Sequence, residues 1–219
     1  MKHKNLHKSI ILILPLSFLL LLSSCFGVNA DIILNANGSG TVNLEYRVSK
    51  DLDSLGKLDG NERWNTIPVG KADFERTMDR LPDMKLVSFS SKEDEKNVIV
   101  TAKMGFANLN GLLAFLDSGG KRSSFSGDVK SGRITLTLND GRRITDPDLD
   151  KLIAGISDGY TVSMSMTFPS DGNLALKDNQ GNVRQTGSEF IPKGKTVSFS
   201  LPLYEVLTSS GGLSAEFSW

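Results

Sequence analysis

The sequence predicts an α+β fold, a curved antiparallel sheet packed on two or three helices with room for an apolar cavity between the layers. Three observations carry that prediction: several segments alternate apolar and polar residues with a period of two, turn-forming residues separate them, and three stretches repeat their apolar residues at helical spacing instead. Clean alternation gives one apolar and one wet face. It suits antiparallel strands, because parallel strands buried on both faces read as continuous apolar runs. Helices with a single apolar stripe must bury it, and the apolar sheet face is the available partner.

In chain order, a first strand is expected over Asp31 to Asn35, and Asn37, Gly38, Ser39 and Gly40 then turn the chain. Val42, Leu44, Tyr46 and Val48 alternate with Thr41, Asn43, Glu45 and Arg47 to make the second strand. Trp64, between Asn61 and Pro68, is expected to anchor a loop. A helix should run from about Lys71 to Arg80, with Phe74 and Met78 four apart on one face. The charged run from Lys92 to Lys96 marks a hairpin turn before the strand carrying Val98, Val100, Ala102 and Met104. Leu109, Leu112, Leu113 and Leu116 recur at helical spacing and stop before Gly119 and Gly120.

Lys130, Ser131 and Gly132 make a second hairpin turn, followed by Ile134, Leu136 and Leu138 at strand spacing. Thr145, Asp146 and Pro147 supply a cap and a first-turn proline for a helix carrying Leu149, Leu152, Ile153 and Ile156. From Tyr160 to Phe168 the even positions are Tyr160, Val162, Met164, Met166 and Phe168, and Ser or Thr fills every odd one. Asp171 with Gly172, and the run from Asn179 to Asn182, are expected to break the chain after it. Val197, Phe199 and Leu201 form a further strand. Leu213, Ala215 and Phe217 lead to Trp219 in a final strand of the domain rather than a barrel assembly signal.

The first 25 residues point to export. Lys2, Lys4 and Lys8 precede an apolar stretch from Ile10 to Leu22, about 13 residues long and too short to span a bilayer as a helix of roughly 20. Leu22, Ser23, Ser24 and Cys25 then match the lipobox of bacterial lipoproteins, so Cys25 is expected to become a lipid-modified N-terminus. Two or three acyl chains, at about 0.8 kcal/mol per buried methylene, give a lasting attachment where one chain does not. The expected organisation is a signal peptide over residues 1–24, a short tether over 25–30 and one α+β domain over 31–219. An ordinary secretory signal cut after Val28, Asn29 and Ala30 is the alternative.

Cleavage before Cys25 discards three of the 25 basic residues and none of the 25 acidic ones, which leaves 22 against 25 and a formal charge near −3. No dense basic footprint remains, so nucleic acid is not an expected partner. Both histidines, His3 and His7, go with the leader, and the only thiol is Cys25. A mature chain without imidazole or free thiol has no Ser-His-Asp or Cys-His nucleophile and no His- or Cys-built zinc site. No catalytic residue, metal or cofactor is expected. Without disulfides the fold must rest on a core, which about 195 residues can supply.

Asp146, Asp148 and Asp150 alternate like the start of a calcium loop, but Lys151 and Ser157 stand where that loop needs Gly and Glu. Acids at a helix N-terminus are the better reading. Gly119, Gly120, Lys121, Arg122 and Ser123 do not make a phosphate loop, because Phe115 replaces its first glycine and Arg122 its hydroxyl. Glu45, Glu75, Glu93, Glu95 and Glu205 show no spacing that marks out a catalytic pair. The methionines are the more informative group: Val162, Met164, Met166 and Phe168 share a face on which Met78, Met84 and Met104 could converge. Methionine suits apolar ligands of variable shape, with ordinary core filling as the alternative. Val162, Met164, Met166, Phe168 and Met104 are therefore the candidate ligand-facing residues.

The arrangement resembles the LppM-type domain of bacterial lipoproteins. The resemblance lies in the lipobox followed at once by a strand, in the Gly38-Ser39-Gly40-Thr41-Val42 turn, in Tyr160-Thr161-Val162 to Phe168-Pro169, and in Gly194 to Pro202. It implies a lipid-binding type of α+β fold with an apolar cavity and, in mycobacteria, recognition of mannosylated phosphatidylinositol lipids. Many such proteins carry a C-terminal transmembrane helix. None is read after Pro202, so the N-terminal lipid is the expected anchor. The expected protein is a lipid-anchored, extracytoplasmic module of the cell membrane or outer membrane that binds a lipid or other apolar ligand. The alternative is a lipoprotein that docks an envelope protein through its Ser and Thr strand faces.

Overall fold

The computed structural model describes residues 27–50, 70–117, 122–184 and 189–219. The leader, Cys25, Trp64, Gly119, Gly120 and Lys121 lie outside the described residues. Within them the order is β1 (Gly27–Leu34), β2 (Gly40–Ser49), α1 (Lys71–Met78), β3 (Met84–Glu93), β4 (Asn97–Phe106), α2 (Leu109–Leu116), β5 (Ser123–Gly127) and β6 (Gly132–Asn139). There follow α3 (Pro147–Ser157), β7 (Thr161–Lys177), β8 (Val183–Arg184), β9 (Glu189–Ile191), β10 (Lys193–Pro202), α4 (Leu203–Thr208) and β11 (Leu213–Ser218). The class is α+β, dominated by one sheet with the path β3-β4-β2-β1-β7-β11-β6-β5, from which β10 and β8 branch on β7.

The sheet is mixed rather than antiparallel. β1 pairs antiparallel with β2 but parallel with β7, in a register that sets Val28 beside Val162, Ala30 beside Met164 and Ile32 beside Met166. Alternation reports which face of a strand is wet and is silent on direction, so this one parallel pair could not show in it. β7 also runs through Asp171 and Gly172, where a break was expected. Its first part pairs with β1 and β10 and its last five residues with β11, so the chain changes partners there instead of turning. Gly172 serves that change: a Cβ on it would sit 2.4 Å from the Phe168 ring.

Register gathers the apolar residues into rows. Leu86, Met104, Val42, Ile32, Met166 and Val197 form one row across six strands. Phe89, Ala102, Leu44, Ala30, Met164 and Phe199 form the next. The second half of the sheet contributes Ile134, Leu174 and Phe217, and Phe217 meets Phe199 at a ring separation of 6.4 Å, joining the two halves in one core. On α1, Phe74 stacks on Tyr46 at 6.4 Å and touches Phe89 at 5.3 Å. Trp219 closes another edge: its ring stacks on Phe168 at 5.1 Å, and its indole N–H donates to the Val129 carbonyl at 2.9 Å.

Other boundaries move for local reasons. β1 begins at Gly27, not Asp31, so Val28 to Ala30 belong to the sheet and not to a tether. β3 escaped the period-two reading because a bulge between Leu86 and Ser88 shifts its alternation at Val87. α4 has one turn and a half, too short for a helical repeat to show. Asp146 caps α3 by accepting the amides of Asp148 and Leu149.

Three turns use one device, an Asp carboxylate that accepts nearby backbone amides. Asp94 accepts from Lys96 and Asn97, Asp128 from Lys130 and Ser131, and Asp178 from Gln180 and Asn182. Amide donation holds Asp94 and Asp128 below the usual carboxyl range, and at Asp178 the Asn182 side chain leads the effect. A depressed folded value contributes stability above the unfolded pKa of about 3.9, lost as pH falls through the folded value. Asp128→Ala should therefore lower the thermal midpoint at neutral pH, and its gap from the parent should close as the pH drops below about 4. Met166→Ala, at the centre of the first apolar row, should cost about 2–5 kcal/mol in urea denaturation at any pH.

Candidate functional site

The candidate apolar face has a sealed end and an open one. Met104 and Met166 share a row with Val42 and Ile32 between them, and all four are completely buried. Phe168 is also buried, next to Leu34, Phe106 and Met84 at the end of the sheet away from Gly27. These side chains belong to the packed core. Met164 and Val162, in the rows nearer Gly27, are only half-buried.

The row at the open end reads Val100, Tyr46, Val28, Val162 and Leu201. Val28 points to the apolar face by its parity with Ala30 and Ile32, yet it keeps 43% of its surface exposed. Beside it, Tyr46 is buried, and its hydroxyl has no hydrogen-bond partner among the described residues. Burial pushes that phenol well above its ordinary pKa, and the carboxylate of Asp73 pushes it further. Asp73 does not accept from it: it pairs with Arg76 and takes the Gly70 amide at 3.2 Å. A buried hydroxyl left unpaired costs about 1–3 kcal/mol, so a carbonyl brought to this end would relieve it.

Sequence reasoning placed Val28 in a tether and Tyr46 only on an apolar strand face. The signal for Tyr46 was present, a phenol at an apolar position of the alternation. That it has no partner among the described residues is a property of the packed fold.

The opposite face is hydroxyl-rich, and its hydroxyls are committed to one another. Ser163 donates to Ser200 at 2.8 Å, Ser165 to the Asp31 carboxylate at 2.6 Å, and Thr167 pairs with Thr196 at 2.9 Å. A half-open groove of about 550 Å³, lined by Thr41, Asp83, Lys85, Lys103 and Phe106 among others, lies at the sheet end away from Gly27. None of the candidate residues lines it. Of the acids considered for calcium, Asp146 is spent on its cap and Asp150 accepts from the Tyr204 hydroxyl at 3.0 Å. Among the described residues no cluster of three or more His, Cys, Asp or Glu side chains could hold a metal ion.

No protein-family model and no curated protein matches this chain. Among solved structures, the folded domain of Mycobacterium tuberculosis LppM, determined by NMR, is similar to it with a TM-score of 0.42 and 14% identity. The likeness covers 87% of this chain and 88% of that one. No residue of this chain takes a role from that likeness.

Proposed function

We propose that this protein is a lipid-anchored module of the bacterial cell envelope whose domain takes an apolar, carbonyl-bearing ligand such as a lipid at the open end of its sheet face. One observation carries the reading: Val42, Ile32, Met104 and Met166 are completely buried, whereas Val28, Val162 and Met164, in the rows nearer Gly27, remain accessible beside a buried Tyr46 hydroxyl that has no partner among the described residues. An acyl chain against the three side chains and an ester carbonyl accepting from Tyr46 would satisfy both features.

The position of β1 supports the anchor. Cleavage after Ala30 would remove Gly27 to Ala30 from a strand paired on both sides, whereas cleavage before Cys25 leaves β1 whole. Among the described residues no helix is long and apolar enough to cross a membrane. The docking alternative draws less support, because the hydroxyls that would serve it already hydrogen-bond across their own strands.

Native mass spectrometry of delipidated, refolded protein against envelope lipid extract should recover one bound lipid per chain, and recovery of none would sink the ligand reading. Val28→Asp places a charge at the mouth and should abolish binding while the fold persists. Tyr46→Phe should leave stability unchanged or raise it by up to about 1 kcal/mol, yet weaken lipid binding about five- to tenfold. Separately, a palmitate analogue should label the parent and not Cys25→Ala; equal labelling of both would remove the anchor.

A further inference from the structure

We infer that the outward sides of α3 and α4 form the surface with which the domain rests on the bilayer, an inference that builds on the proposed acylation of Cys25. α3 is amphipathic, but its apolar edge does not face the core. Leu149 and Leu152 lie within about 60° of each other around the helix, and they keep 45% and 60% of their surface exposed. The side turned inward carries Asp150, Ile153 and Ser157. Ser157 is buried, with its hydroxyl donating to the Ile153 carbonyl, and Asp150 accepts from Tyr204. α4 extends the same surface: Val206 points in, while Tyr204 and Leu207 are exposed.

Register says what should cover this surface. Thr161, the first residue of β7, is paired on one side with Gly27 and on the other with Pro202, the residue before α4. The Leu203 amide donates to the Tyr160 carbonyl at 2.6 Å, and the Tyr160 amide to Ser157 at the end of α3. The start of α4 therefore sits about two strand spacings, roughly 10 Å, from Gly27 across Thr161, and the end of α3 leads into Thr161 itself. Through the Tyr204–Asp150 bond, Leu149 is held near the same place.

Gly27 is two residues from Cys25, a reach of at most about 7 Å. An acyl chain on Cys25 cannot be in the bilayer without bringing this end of the domain to the headgroups. Two leucines and one more on α4 bind a membrane weakly by themselves, but so short a tether presents them at an effective concentration on the order of millimolar. Tyr204 has the form that suits an interface, an apolar ring with a polar tip. The helix carries Asp148 and Asp150 against Lys151, so apolar contact and not attraction to anionic lipid must hold it.

Because acylation blocks Cys25, Leu152→Cys adds one labelling site. An environment-sensitive fluorophore there, in the acylated protein on phosphatidylcholine vesicles, should shift to the blue. Nitroxide-bearing lipids should quench it about twofold or more beyond the same label at Val87→Cys, an exposed position on β3, and added salt should leave both readings unchanged. A label at 152 that stays wet while the acylated protein floats with vesicles overturns the docking surface alone. A blue shift that grows with protein concentration in the absence of lipid assigns the surface to a second copy and also overturns it. The mass of the N-terminal peptide reads the anchor separately, and an unmodified Cys25 removes the anchor together with this inference.

Discussion

Strand β1 is paired on both sides, and the register it holds with β7 decides where the rest of the chain can go. Ala30 and Ile32 sit between Leu44 and Val42 on one side and Met164 and Met166 on the other. A slip of one residue against either neighbour would turn Asp31 and Ile33 into the core and Ile32 into water, so burial enforces the register. The Ser165 hydroxyl, donating to the Asp31 carboxylate at 2.6 Å, adds a polar lock on the wet face of the same pair. Because β1 and β7 are parallel and far apart in sequence, everything between them must be folded as a crossover. The β3-β4 and β5-β6 hairpins and α1 to α3 occupy that connection. The β7-β10 and β7-β11 pairings then hang on the β7 strand that β1 positions.

How much of this was legible in the sequence depended on how local each cause is. The period of two identified β2, β4, β6, β7, β10 and β11, since facing water on one side is a property each strand carries alone. The turns over Lys92 to Lys96 and Lys130 to Gly132 and the Asp146 cap were equally visible, because their causes lie within a few residues, although the Asp94 and Asp128 carboxylates that hold those two turns were not singled out. What escaped was set by partners distant in sequence. The direction of β1 relative to β7 leaves no trace in alternation, and β3 hides behind a single bulged residue at Val87. The change of partners along β7 turned an expected break at Gly172 into a continuous strand, with the Phe168 ring filling the space a side chain would need.

The candidate site divides along the same line. That Met164 and Met166 share an apolar face follows from parity, and that Met104 joins the Met166 row follows from registers that parity cannot supply. Which of them is covered depends on neighbours contributed by remote segments. Met166 lies under a complete shell, whereas Met164, two residues away on the same strand, does not. Tyr46 makes the point most sharply. In sequence it is an aromatic residue at an apolar position; in the fold its ring stacks on Phe74 and its buried hydroxyl has no partner among the described residues.

Coverage differs between the two ends of the sheet. At the end away from Gly27, Leu34, Met84, Phe106 and Phe168 are all buried, and the rings of Trp219 and Phe168 stack over that edge. At the end near Gly27, the face itself is open at Val28 and Val162, and the adjoining helices turn leucines outward. A domain that lived wholly in water would gain about 25 cal/mol for each Å² of that apolar surface it covered, at no evident structural obstacle, since the other end shows the fold can do so. Ile33, Val87, Val183 and Ile191 are exposed elsewhere as scattered side chains, whereas Val28, Leu149, Leu152 and Leu207 gather near the Gly27 end, and an apolar medium there would account for that grouping. The chain enters the domain there, two residues after the one cysteine it possesses. An acylated Cys25 would supply that medium, and it would hold the mouth beside Val28 within reach of lipids whose carbonyls could accept from the Tyr46 hydroxyl.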